Sequence, residues 1–584
     1  MANYSTDVLI VGMGPAGGAT AALLSSYGIQ NMAINRYRWL ANTPRAHITN
    51  QRTMEVIRDL GLEVEQEAYL YATAQEYLGN NVFCTSIAGE EIGRMYSWGT
   101  HPKSKAEHLL SSPSLMNDLP QTYFEPILLN TACSRGTQPR MSTEYVSHVQ
   151  DADGVTTTCR DRLTGAEFTV RSKFLIGADG SNSKVAEHAG LPFEGKMGVA
   201  GSMNIVFKAD LTKYVAHRPS VLYWVMQPGA DVGGIGMGLV RMVRPWNEWL
   251  INWGYDINQP APQVDDAFAT KVARDLIGDP DIPIEITSTS TWTVNNMFAT
   301  HLQKDRVFIM GDAAHRHPPS NGLGSNTSIQ DAFNLAWKVA MVVKGEAGVG
   351  LLESYSAERA PVARQIVTRA NKSIDEFGPI FKSLGLLDSV DPVKMQENMD
   401  ARCGTTPEAE AQRNAIREAI ANKVYEFDAH GVEMNQRYKS NAVETDGQPE
   451  PPFTEDADLH FQQTSWPGAR IPHAWLFSDA GAKASTLDLC GHGKFSLLTG
   501  PGGAGWAKAA AAVGAEFGLE INVHIIGPRR PWQDFTGDWA RISEISDSGA
   551  LLVRPDHHVA WRSVNGVADP AAELRRVLKT VLSR

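Results

Sequence analysis

Cysteine is scarce in this chain and never clustered. Cys84, Cys133, Cys159, Cys403 and Cys490 lie far apart, with no CxxC and no Cys/His group. That spacing excludes a disulfide framework and a zinc site. No apolar run approaches the ~20 residues that span a bilayer. The first residues carry neither a basic segment nor a leader-like apolar stretch before Val8-Leu9-Ile10-Val11. An excess of positive charge is also missing: the formal net charge is −12 over 584 residues. Nucleic acid and anionic membranes are therefore not expected as partners. No internal repeat or low-complexity segment occurs. What remains is a multidomain protein expected in the reducing cytoplasm, since single cores stop growing near ~250–300 residues.

What is present begins at once. Val8 to Val11 is a short apolar run suited to a strand buried on both faces. Thr20 to Tyr27 is a small-residue helix, and Asn31 to Ile34 is the returning strand. Together they predict a βαβ unit. Met203 to Phe207, Val221 to Val225 and Gly236 to Val243 read as antiparallel strands with one face on a ligand cavity; Trp224, Trp246, Trp249 and Trp253 cluster there. Arg306 to Met310 predicts another buried strand, followed by a helix from about Ser328 to Val343. Residues 376–440 are charged and mostly helical, Gly447 to Pro452 reads as a linker, and residues 455–584 as a further α/β domain.

Several motifs carry chemistry. Gly12, Gly14 and Gly17 form GxGxxG: a tight turn, a close approach to a diphosphate, and close helix–strand packing. Pro15 and Ala16 open the helix whose free N–H groups would meet that diphosphate. Asn35 stands where the ribose-binding acid is expected, and Arg36 follows. The amide can accept a ribose hydroxyl, whereas the arginine suits the 2′-phosphate of NADP; this motif alone leaves FAD and NADP both open. A second GxGxxG at Gly500, Gly502 and Gly505 has no companion motif and reads as a structural turn. Asp179, in Gly177-Ala178-Asp179-Gly180, and Asp312, after Gly311, each follow an apolar strand and can face a dinucleotide cleft. Asn321 to Asn326 then places N–H groups at a helix start, where their dipoles favour the negative charge of a reduced flavin. His315 and His317 lack a third ligand nearby, so no metal site is expected.

These corners, with Thr43 to Glu55, Tyr223 to Ala230 and His315 to Pro319, give the chain its likeness. It resembles the single-component FAD-dependent aromatic-ring hydroxylases, within them the phenol hydroxylases, over essentially its whole length. The resemblance implies an α/β fold: a Rossmann-like FAD-binding domain (1–180 and 297–375), an inserted antiparallel-sheet substrate domain (181–296), a helical segment and linker (376–450), and a C-terminal thioredoxin-like domain (451–584). It also implies cofactor contacts at Gly12, Gly14, Pro15, Ala16, Gly17, Asn35, Arg36, Arg45, Gln121, Asp179, Asp312, Pro319, Gly322, Leu323, Gly324, Ser325 and Asn326, with Asp179 serving both FAD and NADPH. Pro318 would wall the pocket, and Trp224, Met237 and Trp292 would line it. Asn35 and Lys184 depart from the residues usual in the family.

The activity so implied is ortho-hydroxylation of a phenol, such as 2,4-dichlorophenol, to a catechol. NADPH and O2 would be consumed through a flavin C4a-hydroperoxide, in a homodimer or homotetramer. His47 sits two residues after Arg45, and an ordinary histidine titrates near ~6.5, so it is the expected acceptor of the phenol proton. A hydroxybenzoate hydroxylase, a flavin reductase or oxidase, and a non-catalytic escort on the same fold are the alternatives.

Overall fold

The computed structural model describes residues 3–228 and 238–584. Its principal elements begin with β1 (Asn3–Val11), α1 (Pro15–Ser26), β2 (Asn31–Ile34), β3 (Ile48–Thr49), α2 (Gln51–Leu60), β4 (Asn80–Cys84), β5 (Glu91–Tyr96) and β6 (Asn117–Asp118). Next come α3 (Gln121–Ser134), β7 (Gln138–Arg140), β8 (Thr143–Gln150), β9 (Val155–Asp161), β10 (Glu167–Gly177), α4 (Lys184–Ala189), β11 (Phe193–Lys208), β12 (Leu222–Val225) and β13 (Leu239–Arg244). The chain continues through β14 (Glu248–Tyr255), α5 (Asp266–Ile277), β15 (Glu285–Ala299), β16 (Gln303–Lys304), β17 (Val307–Ile309), β18 (His315–Arg316), α6 (Leu323–Lys344) and α7 (Glu353–Asp375).

The first sheet has the order β16-β17-β10-β1-β2-β7, with β8 and β9 attached through β10. Strands β17, β10, β1, β2 and β7 run parallel. Val8, Leu9 and Ile10 are fully buried, as the unbroken apolar run requires of a strand covered on both faces. Helix α1 packs against α3 and α6. Its glycines and alanines allow that close approach.

The second sheet, order β18-β15-β11-β14-β13-β12-β4-β5, is mostly antiparallel. β4 and β5 lie inside residues 1–180 yet form its far edge, so the expected boundary at 180 does not separate the two sheets. A parallel pairing of β4 with β12 builds that edge from a distant segment. Register assigns the faces. Trp224 opposes Leu239, which opposes Asn252, which opposes Asn204, and Arg241 lies two residues from Leu239. Directly opposed residues share a face, so all five point the same way. Trp292, opposite Ser202, joins them. Trp249 and Trp253 have the other parity, and Trp253 stacks on Phe268 of α5. The tryptophans therefore divide between two faces, because side chains alternate along a strand.

The third unit carries a four-stranded sheet of Ile521–Ile525, Phe495–Thr499, Ala550–Val553 and Val559–Ser563, in that order. Helices Ala504–Phe517 and Pro570–Val581 pack together beside it. Buried ion pairs fasten this unit to the first. Glu55 of α2 meets Arg470, and Glu358 of α7 meets Arg554 at 2.6 Å and Lys338 of α6 at 2.8 Å. Cys490 is buried and burial pushes its thiol well up, so it has no exposed thiolate.

Candidate active site

Three glycine corners stand at the C-terminal ends of neighbouring parallel strands: Gly12–Gly17 after β1, Ala178–Gly180 after β10, and Gly311-Asp312 after β17. Bare backbone lets them touch. A Cβ on Gly12, where φ is +102°, would stand 2.1 Å from the Ala178 carbonyl oxygen. One on Gly17 would meet the Gly12 carbonyl oxygen at 2.0 Å, and one on Gly311 would meet Ala16 at 3.1 Å. Gly14 differs. Its nearest neighbour would be a Glu125 carboxylate oxygen at 3.7 Å, so this position faces open space. Pro15 and Ala16 form the first turn of α1, whose N-terminus has no side-chain cap. Its N–H groups are left for an anion.

The Asp312 carboxylate accepts no hydrogen bond among the described residues. It is open to solvent, yet protein packs around it closely enough that burial raises its pKa, against the pull of His315, Arg316 and Arg45. Asp331 of α6 holds this corner from behind. It accepts from Gly311 N–H at 3.1 Å, pairs with His315 Nε2 at 2.8 Å, and accepts from Arg359 Nε at 2.7 Å. Asp179 does not stand free toward the cleft as expected. Its carboxylate accepts from the Ser183 hydroxyl at 2.5 Å and Val185 N–H at 3.2 Å at the start of α4. Asn35 is buried and donates Nδ2–H to the Trp39 carbonyl at 3.0 Å, which keeps Oδ1 as an acceptor; Arg36 is exposed and donates to the Tyr37 hydroxyl at 2.6 Å.

A narrow shelf connects the first corner to α6. β3 pairs with β6, Leu119 N–H donates to the His47 carbonyl at 2.7 Å, and Gln121 N–H to the Arg45 carbonyl at 3.1 Å. At one end Gln121 donates Nε2–H to Glu125 at 2.5 Å. Burial raises the Glu125 pKa, opposed by hydrogen bonds from Gln121 and Ala41 and by the nearby charge of Arg45. At the other end Asn326 donates to the Ile48 carbonyl at 2.8 Å and the Gly322 carbonyl at 2.6 Å, and accepts from Asn50 N–H at 3.0 Å. Asn326, expected at the flavin edge, thus spends its amide clamping the shelf to α6. Gly322, at φ +63°, is the N-cap of α6 and has no side chain to cap it. Gly324 and Ser325 are half-buried in the first turn, where a Cβ on Gly324 would meet only the His317 ring at 3.8 Å. Leu323 and Pro318 are buried; Pro319 is exposed.

His47 is buried on this shelf with both ring nitrogens engaged: Nδ1 lies 3.1 Å from Asp118 Oδ1, and Nε2 2.5 Å from the Pro44 carbonyl oxygen. No nitrogen is free to take a proton from a ligand, which corrects the role expected for it. Burial, then the Arg241 charge, lower its pKa from 6.5. The other Asp118 oxygen accepts from Arg241 Nη2 at 2.6 Å. Burial opposes the Asp118 charge, but Arg241 and His47 outweigh it and hold the carboxyl below its usual range. Arg241 Nε is buried and has no partner among the described residues. Trp224 shares the Arg241 face but is core: its indole N–H donates to Asn81 at 3.1 Å and its ring packs 4.6 Å from Phe377. Trp292, half-buried, donates to Asn204 Oδ1 at 3.0 Å. Met237 lies outside the described residues. A cavity of about 1280 Å³ beside β5 is lined by Lys103, Arg402, Arg413 and Arg417. It touches none of the corners.

Residues 5–370 match the FAD binding domain family, and residues 464–584 match the family described as aromatic-ring hydroxylase, C-terminal. The chain belongs to the FAD-dependent aromatic-ring hydroxylases. This hydroxylase is 55% identical over 580 residues to 2,4-dichlorophenol 6-monooxygenase of Cupriavidus pinatubonensis (strain JMP 134 / LMG 1197), covering 99% of this chain and 96% of that one. It is 50% identical over 575 residues to phenol 2-monooxygenase of Pseudomonas sp. (strain EST1001), covering 98% and 92%. The crystal structure of the flavin-dependent monooxygenase PieE in complex with FAD and substrate superimposes with TM-score 0.93 at 41% identity, covering 99% of each chain.

FAD is the cofactor of this hydroxylase, and the corners fit it. An uncapped helix start beside an open glycine suits a diphosphate, and an unpaired, partly desolvated carboxylate suits a hydroxylated chain. Sequence reasoning missed Asp118, Glu125, Arg241 and Asp331. Each left a local trace. Glu125 is an acid one turn after Gln121 in a largely apolar helix, Asp331 an acid inside an apolar helix, and Arg241 a lone charge in an apolar strand.

Proposed function

We propose that this hydroxylase converts a phenol to a catechol by ortho-hydroxylation: phenol + NADPH + H⁺ + O2 give catechol + NADP⁺ + H2O. The observation that carries this reading is Arg241, whose buried Nε–H has no acceptor among the described residues while Nη2 is fixed by Asp118. FAD, when bound, supplies oxygen activation with electrons from NADPH. The protein binds and orients. In this reading Gly12, Gly14, Pro15, Ala16 and Gly17 receive the FAD diphosphate, Asn35 and Arg36 its ribose, and Asp312 its ribityl hydroxyls. Arg45, Gln121, Pro319, Gly322, Leu323, Gly324 and Ser325 border the ring.

Arg241 holds the phenol oxygen. A guanidinium stabilises phenolate, so the phenol loses its proton more readily and its ortho carbon becomes more electron-rich. Asp118 keeps Arg241 in place, and His47 keeps Asp118 in place; His47 positions rather than accepts. Trp292 and Pro318 would bound the ring. The identity with dichlorophenol and phenol monooxygenases supports a neutral phenol, with 2,4-dichlorophenol the first substrate to try. A dimer or tetramer in the cytoplasm completes the reading.

The test is coupled NADPH and oxygen consumption over a panel of phenols, with product identified, in wild type and Arg241→Met. A yellow wild-type protein should release catechol in step with NADPH. The variant should keep its FAD and lose roughly 30–150-fold in kcat/KM, from the ~2–3 kcal/mol of a charge-assisted hydrogen bond. Absence of catechol with every phenol refutes the activity; an unimpaired Arg241→Met refutes the anchor.

A further inference from the structure

Among the described residues, Arg316 makes no ion pair with a carboxylate. It lies on β18, opposite Met297 of β15, which lies opposite Gly195 of β11. Its Nε–H donates to the Asp312 carbonyl at 3.0 Å, and Nη2 sits 3.5 Å from the Ala313 carbonyl. Nη1 faces two thioethers, Met197 Sδ at 3.5 Å and Met297 Sδ at 3.4 Å, and the guanidinium carbon is 4.8 Å from the Phe193 ring centroid. Thioethers are weak acceptors. A half-buried charge surrounded by them keeps donor capacity for an anion, and leaving it unpaired costs stability.

Two arginines, Arg316 and Arg45, favour the charged form of the Asp312 carboxylate. The charge of Arg45 is felt by both Glu125 and Asp312. Burial disfavours the charge of Arg316, while the carboxylates of Asp312 and Asp179 support it. Gly195, at φ +106°, packs its bare backbone against β15: a Cβ on it would stand 2.1 Å from the Asn296 carbonyl oxygen. The result is a half-exposed shelf of a ring and two thioethers, ending in a guanidinium.

We propose that Arg316 binds a phosphate of the nicotinamide dinucleotide that reduces the flavin, with Phe193, Met197 and Met297 as the shelf beneath it. The inference rests on the reading of NADPH as reductant. Arginine suits the task because its planar fork matches phosphate oxygens.

Binding of NADP⁺ and NAD⁺ to the oxidised, FAD-loaded enzyme tests it, since no turnover occurs. Titration calorimetry would compare wild type, Arg316→Gln and Arg316→Lys. Arg316→Gln should weaken NADP⁺ binding roughly 10- to 100-fold, as loss of a charge-assisted phosphate contact does, and Arg316→Lys by less. Flavin content and the spectral shift on adding a phenol should not change. Weakening of NADP⁺ alone assigns the 2′-phosphate; equal weakening of NAD⁺ assigns the diphosphate. Equal NADP⁺ affinity in wild type and Arg316→Gln overturns the proposal, as does loss of FAD from both variants, which would make Arg316 a flavin ligand. A wild type that binds neither nucleotide overturns the reductant reading itself, and the proposal with it.

Discussion

Two turns in this hydroxylase share the pattern GxGxxG after a strand and before a helix, and their glycines have different surroundings. Both helices, Pro15–Ser26 and Ala504–Phe517, begin without a side-chain cap. The difference is where a side chain would go. At Gly14 it would enter open space with one carboxylate oxygen 3.7 Å away. At Gly500 it would strike Asp547 Cα at 2.7 Å, and at Gly502 the Asp547 carbonyl oxygen at 3.1 Å. Gly502 N–H already donates to that carbonyl at 2.9 Å. In one turn glycine borders open space; in the other it makes room for the protein itself. The motif does not distinguish them, and the neighbours do.

The most forceful way to break this comparison is to fill the open position. Gly14 has φ −70°, which any residue adopts, so Gly14→Val should fold. Its side chain would occupy the diphosphate cleft and raise the FAD dissociation constant about 100-fold or more, by removing a ~3 kcal/mol set of N–H contacts. Purified protein should be colourless, with an apo melting temperature close to that of wild-type apoprotein. A yellow Gly14→Val would mean the diphosphate lies elsewhere.

A smaller effect should come from Glu125, whose carboxylate oxygen is the nearest atom to a Cβ built on Gly14 among the described residues. Burial raises its pKa above 4.5. The folded apoprotein therefore binds this proton more tightly than the unfolded chain, and apo stability falls as pH rises from 4.5 through the folded value. A diphosphate beside it favours the protonated acid further, so FAD binding should weaken as pH rises through the same window. In Glu125→Gln that slope should vanish, leaving FAD affinity roughly 2- to 10-fold above wild type at pH 8, the scale of one screened charge repulsion. A Glu125→Gln slope equal to wild type would show that the carboxylate does not sense the phosphate.

The same contrast explains what the sequence let one read. The βαβ start was legible because a buried strand is an unbroken apolar run and a close-packed helix is made of small residues; Val8 to Val11 and Ala16 to Ala22 are both. The second sheet was legible as strands but not as a whole, since β4 joins it from more than a hundred residues away by a pairing that leaves no local period. The glycine and aspartate corners were legible in type. Their side-chain assignments were less so: Asp179 caps α4 and Asn326 clamps Ile48, because short polar side chains near helix starts bond whatever backbone is nearest. His47 was found, and its role misread, because its partners Asp118 and Arg241 stand 71 and 194 positions away along the chain. Spacing encodes periodicity; it does not encode which distant strand brings a guanidinium to a carboxylate.

The smallest expected effect is the sharpest test of the difference between the turns. Gly502→Ala would place a Cβ 3.1 Å from the Asp547 carbonyl oxygen and 3.3 Å from Ser548 Cβ. Those contacts are tight but can relax by a few tenths of an ångström, and Gly502 is not among the glycines with positive φ. Against the strain stands the entropy that alanine removes from the unfolded chain, about 0.4–1 kcal/mol in favour of folding. The two terms nearly cancel, so urea unfolding should shift by no more than about 1 kcal/mol in either direction. FAD affinity and catechol formation should be those of wild type, because this turn's glycines pack against Asp547 and Thr499 and leave no phosphate cleft. If Gly502→Ala loosened FAD, or if a nicotinamide nucleotide protected the Ala504–Phe517 helix from hydrogen exchange in wild type and not in the variant, the second turn would have to be read as a dinucleotide site after all.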